Sequence, residues 1–242
     1  MHSDIAGKRA EFVALCRRHG VARHESELRM SAFTRTIGID YSGAETATAS
    51  LTGLRVYLTE GAAPPVDVLP PASPRKHWTR RGIAEWLVAR LAEDAPTMVG
   101  IDHGFSFPLR YFEIHHLPPD WPAFLDDFRH HWPTDAEHIY VDFVRDGLAG
   151  NGAARTGSAR HAGIPRLRFI RQRLGACVHF WPFDGWTIPA GRSAIAETYP
   201  ALWNRGFARD DRTCDQHDAF SIAAFCRAPT GMAALPPCSG PT

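Results

Sequence analysis

The sequence predicts an α/β domain built on a mixed sheet, and two observations point there. Two short apolar runs, Thr36-Ile37-Gly38-Ile39-Asp40 and Met98-Val99-Gly100-Ile101-Asp102, have the length of buried strands, and each ends in an acid. Between them the pattern reads as a hairpin and then an amphipathic helix, giving the order β-β-β-α-β. Strands joined by tight turns pair antiparallel. A helical crossover makes the fourth strand parallel to a neighbour.

The elements follow in order. Residues 1–33 read as a separate helical extension, with Ile5, Phe12, Val13, Leu15 and Cys16 at loosely helical spacing before Gly20. The domain proper runs over 34–228. Its first strand ends at Asp40 and is followed by the turn-prone Tyr41-Ser42-Gly43. Glu45–Leu51 alternates like a second strand, Thr52-Gly53 like a hairpin turn and Leu54–Thr59 like the returning strand. Residues 61–78, rich in Pro and Ala, read as a surface loop. Thr79 can cap a helix with Ile83, Trp86, Leu87 and Leu91 on one face, ended by Pro96.

Beyond Asp102 comes an insertion over about 105–175. Its first part is dense in aromatic and acidic residues, which predicts packed helices rather than a loose loop. Residues 147–163 are small and read as mobile, and Pro165 opens a helix over Ile164–Leu174. Cys177–Phe183 and Ala194–Thr198 read as strands separated by the turn Asp184-Gly185. A last helix spans Asp215–Arg227, stopped by Pro229, and 229–242 reads as a disordered tail.

Composition narrows the function classes. The chain has 242 residues, 44% hydrophobic and 22% charged, which excludes wholesale disorder and fibrous repeats. No apolar run approaches the ~18–20 residues of a membrane span, and no secretory signal pattern opens the chain. Five scattered cysteines (Cys16, Cys177, Cys214, Cys226, Cys238) without a CxxC pair predict reduced thiols and a cytoplasmic setting. Net charge is +1, so no overall field recruits a polyanion. The positive charge is nearly all arginine, since Lys8 and Lys76 are the only lysines. Arg155, Arg160, Arg166, Arg168, Arg171 and Arg173 stand together without an intervening acid and could track a phosphate backbone of RNA or DNA; a solvated basic helix face is the plainer reading.

The acids carry the chemistry. Side chains alternate along a strand, so Asp40 shares a face with Gly38, and Asp102 with Gly100, leaving room beside each carboxylate. On parallel neighbouring strands the two would emerge together at the carboxyl edge, where open α/β sheets bind ligands. Glu197 ends another apolar strand. In the final helix Asp218 shares its stripe with Ile222, Phe225 and Asp215, so it faces the domain. Most of the acids also have a structural reading: Asp40, and likewise Asp102, as a turn cap, Glu197 paired with Arg192 or Arg205, and Asp215 as the helix N-cap, which leaves Asp218 as the better candidate on the last helix. Converging buried carboxylates must be protonated, paired or bound to a cation, and hard oxygen donors select Mg²⁺ or Mn²⁺. Two such ions form the arrangement used in phosphodiester hydrolysis.

The motifs IGIDYSG, GIDHGFSFP, AETYP and DQHDA, in that order, resemble the ribonuclease H-like superfamily, and within it the domain-of-unknown-function family numbered 429, regarded as predicted nucleases. The resemblance covers about residues 34–228. It implies a mixed five-stranded sheet with the first strand central, flanked by helices, and a metal-dependent acid cluster of Asp40, Asp102, Glu197 and Asp218, with Asp215 as an alternate. It implies a metal-dependent nuclease in which Asp40 bridges two ions, Asp102 and Glu197 complete the cage, and Asp218 holds the second ion or the attacking water. Two other readings stand beside it. One is a non-catalytic domain of the same fold that binds nucleic acid or protein. The other is an actin-like-fold phosphotransferase, disfavoured because that fold needs two such domains. His103 and His217 flank the acids and are candidates for proton transfer or for plain structural roles.

Overall fold

The first acid-ended run forms strand β1, Arg35–Tyr41, buried along its whole length, as a strand covered on both faces must be. Around it a computed structural model describes residues 33–41, 45–72, 76–141 and 158–227. The expected extension over residues 1–33, apart from Phe33, and the expected tail over 229–242 lie outside the described residues.

Strand β2, Leu54–Glu60, pairs antiparallel with β1, and the two-residue strand β3, Val66–Asp67, pairs antiparallel with β2. Helix α1, Arg80–Leu91, starts where Thr79 accepts a hydrogen bond from the Gly82 N–H at 2.9 Å. It crosses to β4, Thr97–Asp102, which lies parallel to β1. Helices α2 (Leu109–Ile114), α3 (Trp121–His131) and α4 (Ser158–Leu174) follow. Then come β5 (Val178–Trp181), β6 (Ser193–Glu197) and helix α5 (Cys214–Arg227). The six-stranded sheet has the order β3-β2-β1-β4-β6-β5, with β1, β4, β6 and β5 mutually parallel.

Three expectations are corrected. The stretch 45–51 is not a strand, because its backbone is engaged elsewhere. The Glu45 carbonyl accepts from Arg80 and from the Val141 N–H, and the Ala47 carbonyl accepts from the Arg81 N–H. The third antiparallel strand comes instead from the Pro- and Ala-rich segment read as a loop, and the sheet has six strands where the resemblance implies five. Helix α4 runs through Pro165 rather than starting there, at the cost of one backbone hydrogen bond that proline cannot donate. The aromatic part of the insertion carries the packed helices α2 and α3: Phe124 and Phe128 of α3 are fully buried, and Phe107, in the loop before α2, lies stacked at 5.7 Å on Phe128.

The two faces of the sheet differ in what covers them. Ile37, Ile39, Val99 and Ile101 point into the larger core with Ile83 and Leu87 of α1, Phe124 of α3 and Leu167 of α4. The opposite face carries small residues. A Cβ at Gly38 would meet the carbonyl oxygen of Ala219 and, at 2.5 Å, the backbone nitrogen of Ala223. At Gly100 it would meet Ile222 and, at 2.8 Å, the Thr198 methyl. The room beside the carboxylates is therefore taken by α5, which lies directly on the backbones of β1 and β4. The buried Thr36 hydroxyl fastens it by donating to the Ala223 carbonyl at 2.9 Å.

The obstacle at Gly38 is helix backbone, which no rotamer change can clear. Gly38→Ala should lower stability by about 1–3 kcal/mol or more, seen as a lower urea midpoint with an unchanged slope. Gly206→Ala, where a Cβ meets nothing within 4 Å, should stay within about 0.5 kcal/mol of the native chain.

Candidate carboxylate site

Register brings the first pair together. Asp40 stands opposite Asp102 across the parallel β1–β4 ladder, as Gly38 stands opposite Gly100. Adjacent strands lie about 4.8 Å apart, and residues in register share a face, so both carboxylates rise from the same edge. Glu197 ends β6, one strand further along, but it is in register with Ile101 and so leaves the sheet on the face opposite Asp40 and Asp102 rather than beside them as expected; its charge still acts on Asp102.

The last two acids arrive on α5. Its start is set by a reciprocal capping box: the Thr213 hydroxyl accepts from the Gln216 N–H at 3.2 Å, and the Gln216 side chain accepts from the Thr213 N–H at 3.0 Å. Thr213, not Asp215, is thus the N-cap. Asp215 is left inside the first turn, close enough for its charge to act on Asp40. Asp218 follows one turn later.

The electrostatics tie these groups into one set. Burial, reinforced by the neighbouring charges of Asp102, Asp215 and Asp218, pushes the Asp40 carboxyl up to about 8, with Arg55 opposing. Asp102 is pushed up to about 7 by burial and by the charges of Asp218 and Glu197. Asp40 itself is 5% exposed, so water does little to relieve the repulsion.

Protein donors hold the outer members of the set. Glu197 accepts from the Phe105 N–H at 2.8 Å and from the Tyr199 hydroxyl. Asp218 accepts from the Asn204 side-chain amide at 2.8 Å. Tyr199 was discoverable from the sequence, since it lies two residues past Glu197. Asn204, set in a 3₁₀ turn fourteen residues before Asp218, gives no such signal. Among the described residues no three His, Cys, Asp or Glu side chains stand close enough together to hold a metal ion. The carboxylates share a field but not a coordination shell, because charges act over distances far beyond the ~2.0–2.6 Å of a metal–oxygen bond. The pair of buried Asp40 and half-buried Asp102 has the charge a divalent cation would neutralise once deprotonated. A third ligand would require Glu197, Asp215 or Asp218 to move.

Each flanking histidine has one ring nitrogen engaged by a backbone carbonyl. His103 is buried, bonded through Nδ1 to the Gly104 carbonyl and packed edge-on against Tyr41, with Gly163 of α4 pressed against its ring. His217 bonds through Nε2 to the Asn204 carbonyl at 3.0 Å.

The arginine series does not form an exposed stripe. Arg166 is buried and donates to the Asp135 carbonyl at 2.8 Å, and burial lowers its pKa. Arg168 pairs with Asp126, Arg171 pairs with Asp184, and Arg173 lies over the Phe169 ring. Arg155 lies outside the described residues, and the structure does not describe the Arg160 side chain. Helix α4 meets the carboxyl end of β4 at Gly163 and then runs to β5, so Arg168, Arg171 and Arg173 sit toward the amino edge, away from the acids.

Comparison of the chain with family models, with curated proteins and with solved structures gives no match. Among the described residues no helix is long and apolar enough to cross a membrane.

The raised Asp40 carboxyl has a measurable consequence. With a native value of about 8 against an ordinary 3.8, the folded chain holds a proton that the unfolded chain has released. The resulting penalty is absent where both states are protonated, grows as pH rises above the ordinary value, and is complete once pH passes the native one. Asp40→Asn removes it. The stability advantage of the variant should therefore grow by more than about 1 kcal/mol between pH 5 and 8 in metal-free buffer. Chemical denaturation across that range measures it, and a difference flat with pH would contradict the assigned burial.

Proposed function

We propose that the chain is a metal-dependent nuclease of ribonuclease H-like organisation, related to the predicted nucleases its motifs resemble, and that it hydrolyses phosphodiester bonds of RNA or DNA. The observation that carries this reading is the register of Asp40 with Asp102 on parallel central strands, with Asp215 and Asp218 acting on Asp40 from α5. The central position of β1, the antiparallel β1-β2-β3 ribbon and the parallel β4 beside β1 are in keeping with it.

In this reading Asp40 and Asp102, with Glu197 and Asp218 beside them and Asp215 as an alternate, would hold Mg²⁺ or Mn²⁺, two ions in the full complement. When bound, such ions neutralise the site and supply an activated water and a Lewis acid for the scissile phosphate. The remaining work belongs to this chain. Asn204 orients Asp218, and the Phe105 N–H and Tyr199 hydroxyl orient Glu197, as partners behind a ligating carboxylate do. The protons on Asp40 and Asp102 must leave before either can serve as a ligand.

The spread of the carboxylates favours a second reading, a domain of the same architecture that binds nucleic acid or protein without cleaving it. One experiment separates the two. With Mn²⁺ and labelled single-stranded, duplex and branched RNA and DNA, the native chain should cleave at least one substrate, and Asp40→Asn should reduce the rate by about 10²-fold or more. Calorimetry should show Mn²⁺ binding to the native chain and its loss in the variant. Absence of both cleavage and Mn²⁺ binding in a folded native chain selects the non-catalytic reading.

A further inference from the structure

A groove of about 560 Å³ lies at the amino edge of β5 and β6, bordered by α3 and α4, at the opposite end of the sheet from the carboxylates. Its volume falls inside the about 300–1,000 Å³ typical of small-molecule sites. Leu125, Val178 and Pro189 supply apolar wall, and Arg168, Arg171 and Arg192 supply charge.

The three guanidiniums are not equivalent. Arg171 is fixed on two sides: its nitrogens meet Asp184 at 2.8 and 3.0 Å, and its head lies 5.4 Å from the centre of the Trp121 ring and 5.5 Å from that of Phe180. Arg168 is held by Asp126 at 2.5 Å and by Gln172 at 3.0 Å. Arg192 is half-buried at the entrance to β6, and its side chain has no hydrogen-bond or ion-pair partner among the described residues. Three cations against the two carboxylates Asp126 and Asp184 leave the groove one positive charge in excess, and that charge resides on Arg192.

A half-buried guanidinium has lost part of its hydration without gaining an acceptor, and an oxyanion restores both charge balance and hydrogen bonds. The paired arginines need no ordering when a ligand arrives, which lowers the entropic cost of binding. We propose that this groove binds a small organic anion, its carboxylate or phosphate head on Arg192 and its apolar body against Leu125, Val178 and Pro189. The assignment is independent of the nuclease reading, since no residue of the acid set takes part.

Phenyl phosphate, benzoate and inorganic phosphate serve as probes, titrated calorimetrically into the metal-free native chain, Arg192→Gln and Arg173→Gln. Arg173 does not line the groove and provides the matched loss of charge. At least one organic anion should bind saturably, and Arg192→Gln should weaken it by about tenfold or more, the share of a charge-assisted hydrogen bond. Arg173→Gln should leave it unchanged, and inorganic phosphate should bind about tenfold more weakly because it lacks the apolar body. Phenyl phosphate against benzoate tells which head group is preferred. The proposal fails if neither organic anion saturates, if both variants weaken binding equally, or if inorganic phosphate binds as tightly. A thermal melt of Arg192→Gln matching the native chain shows that loss of binding is not loss of fold. If that variant melts early, cross-peak shifts at Val178 and Leu125 in the native chain on adding phenyl phosphate decide instead, and their absence overturns the proposal.

Discussion

The contact of α5 with the bare backbones of β1 and β4 is the constraint on which the rest of the architecture turns. Gly38 and Gly100 remove the two side chains that would hold the helix off the sheet, and Ala219 and Ala223 remove them from the helix side. Close packing of this kind does not tolerate an added methyl group, since interiors are filled to crystal-like density. It also sets the electrostatics. Two residues beyond the glycines, on the same face, stand Asp40 and Asp102, and the helix that settles on the glycines brings Asp215 and Asp218 to them. The steric feature and the charged one are thus a single feature, written as Gly-Ile-Asp twice.

That arrangement costs stability in the absence of a counter-ion. Burial alone raises a carboxyl, and here burial acts together with like charges on three elements. The outer acids are accommodated by dispersal: Glu197 is drawn to the loop after β4, and Asp218 to the turn carrying Asn204. Asp40 and Asp102 have no such escape, because a parallel ladder fixes them side by side. Protonation relieves them instead.

Much of the frame was legible in the sequence, and the reasons are local. Two apolar runs of strand length, a Thr before a helical pattern and a turn at Asp184-Gly185 are signals carried by neighbouring residues, and β1, β4, α1 and the β5–β6 region follow them closely. What was not legible depends on partners distant in the chain. The alternation of Glu45–Leu51 satisfies a strand pattern, yet its carbonyls are claimed by Arg80, Arg81 and Val141. Val66–Asp67 has no strand signature and pairs because β2 offers it an edge. The same holds at the site. The acids at strand ends could be listed from their positions, whereas the cap at Thr213 and the partner at Asn204 depended on how α5 and the 3₁₀ turn come together. The arginine series misled for a related reason: a run without acids in sequence meets Asp126, Asp135 and Asp184 in space.

The hydrogen bonds that disperse the outer acids also bear on how the site would work. A carboxylate held by one amide or one hydroxyl keeps its orientation while retaining a free lone pair, so it can turn toward a cation without first being ordered. Among the described residues the Asp218 carboxylate accepts from one donor, the Asn204 side-chain amide, and the Asn204 backbone carbonyl also receives the ring of His217. That turn, seated against α5, therefore governs both the helix residue facing the acids and the histidine beside it. Glu197 is held from two sides, by the Phe105 N–H in the loop after β4 and by the Tyr199 hydroxyl just past β6. The central pair is fixed by the sheet and the outer pair by polar contacts from separate loops.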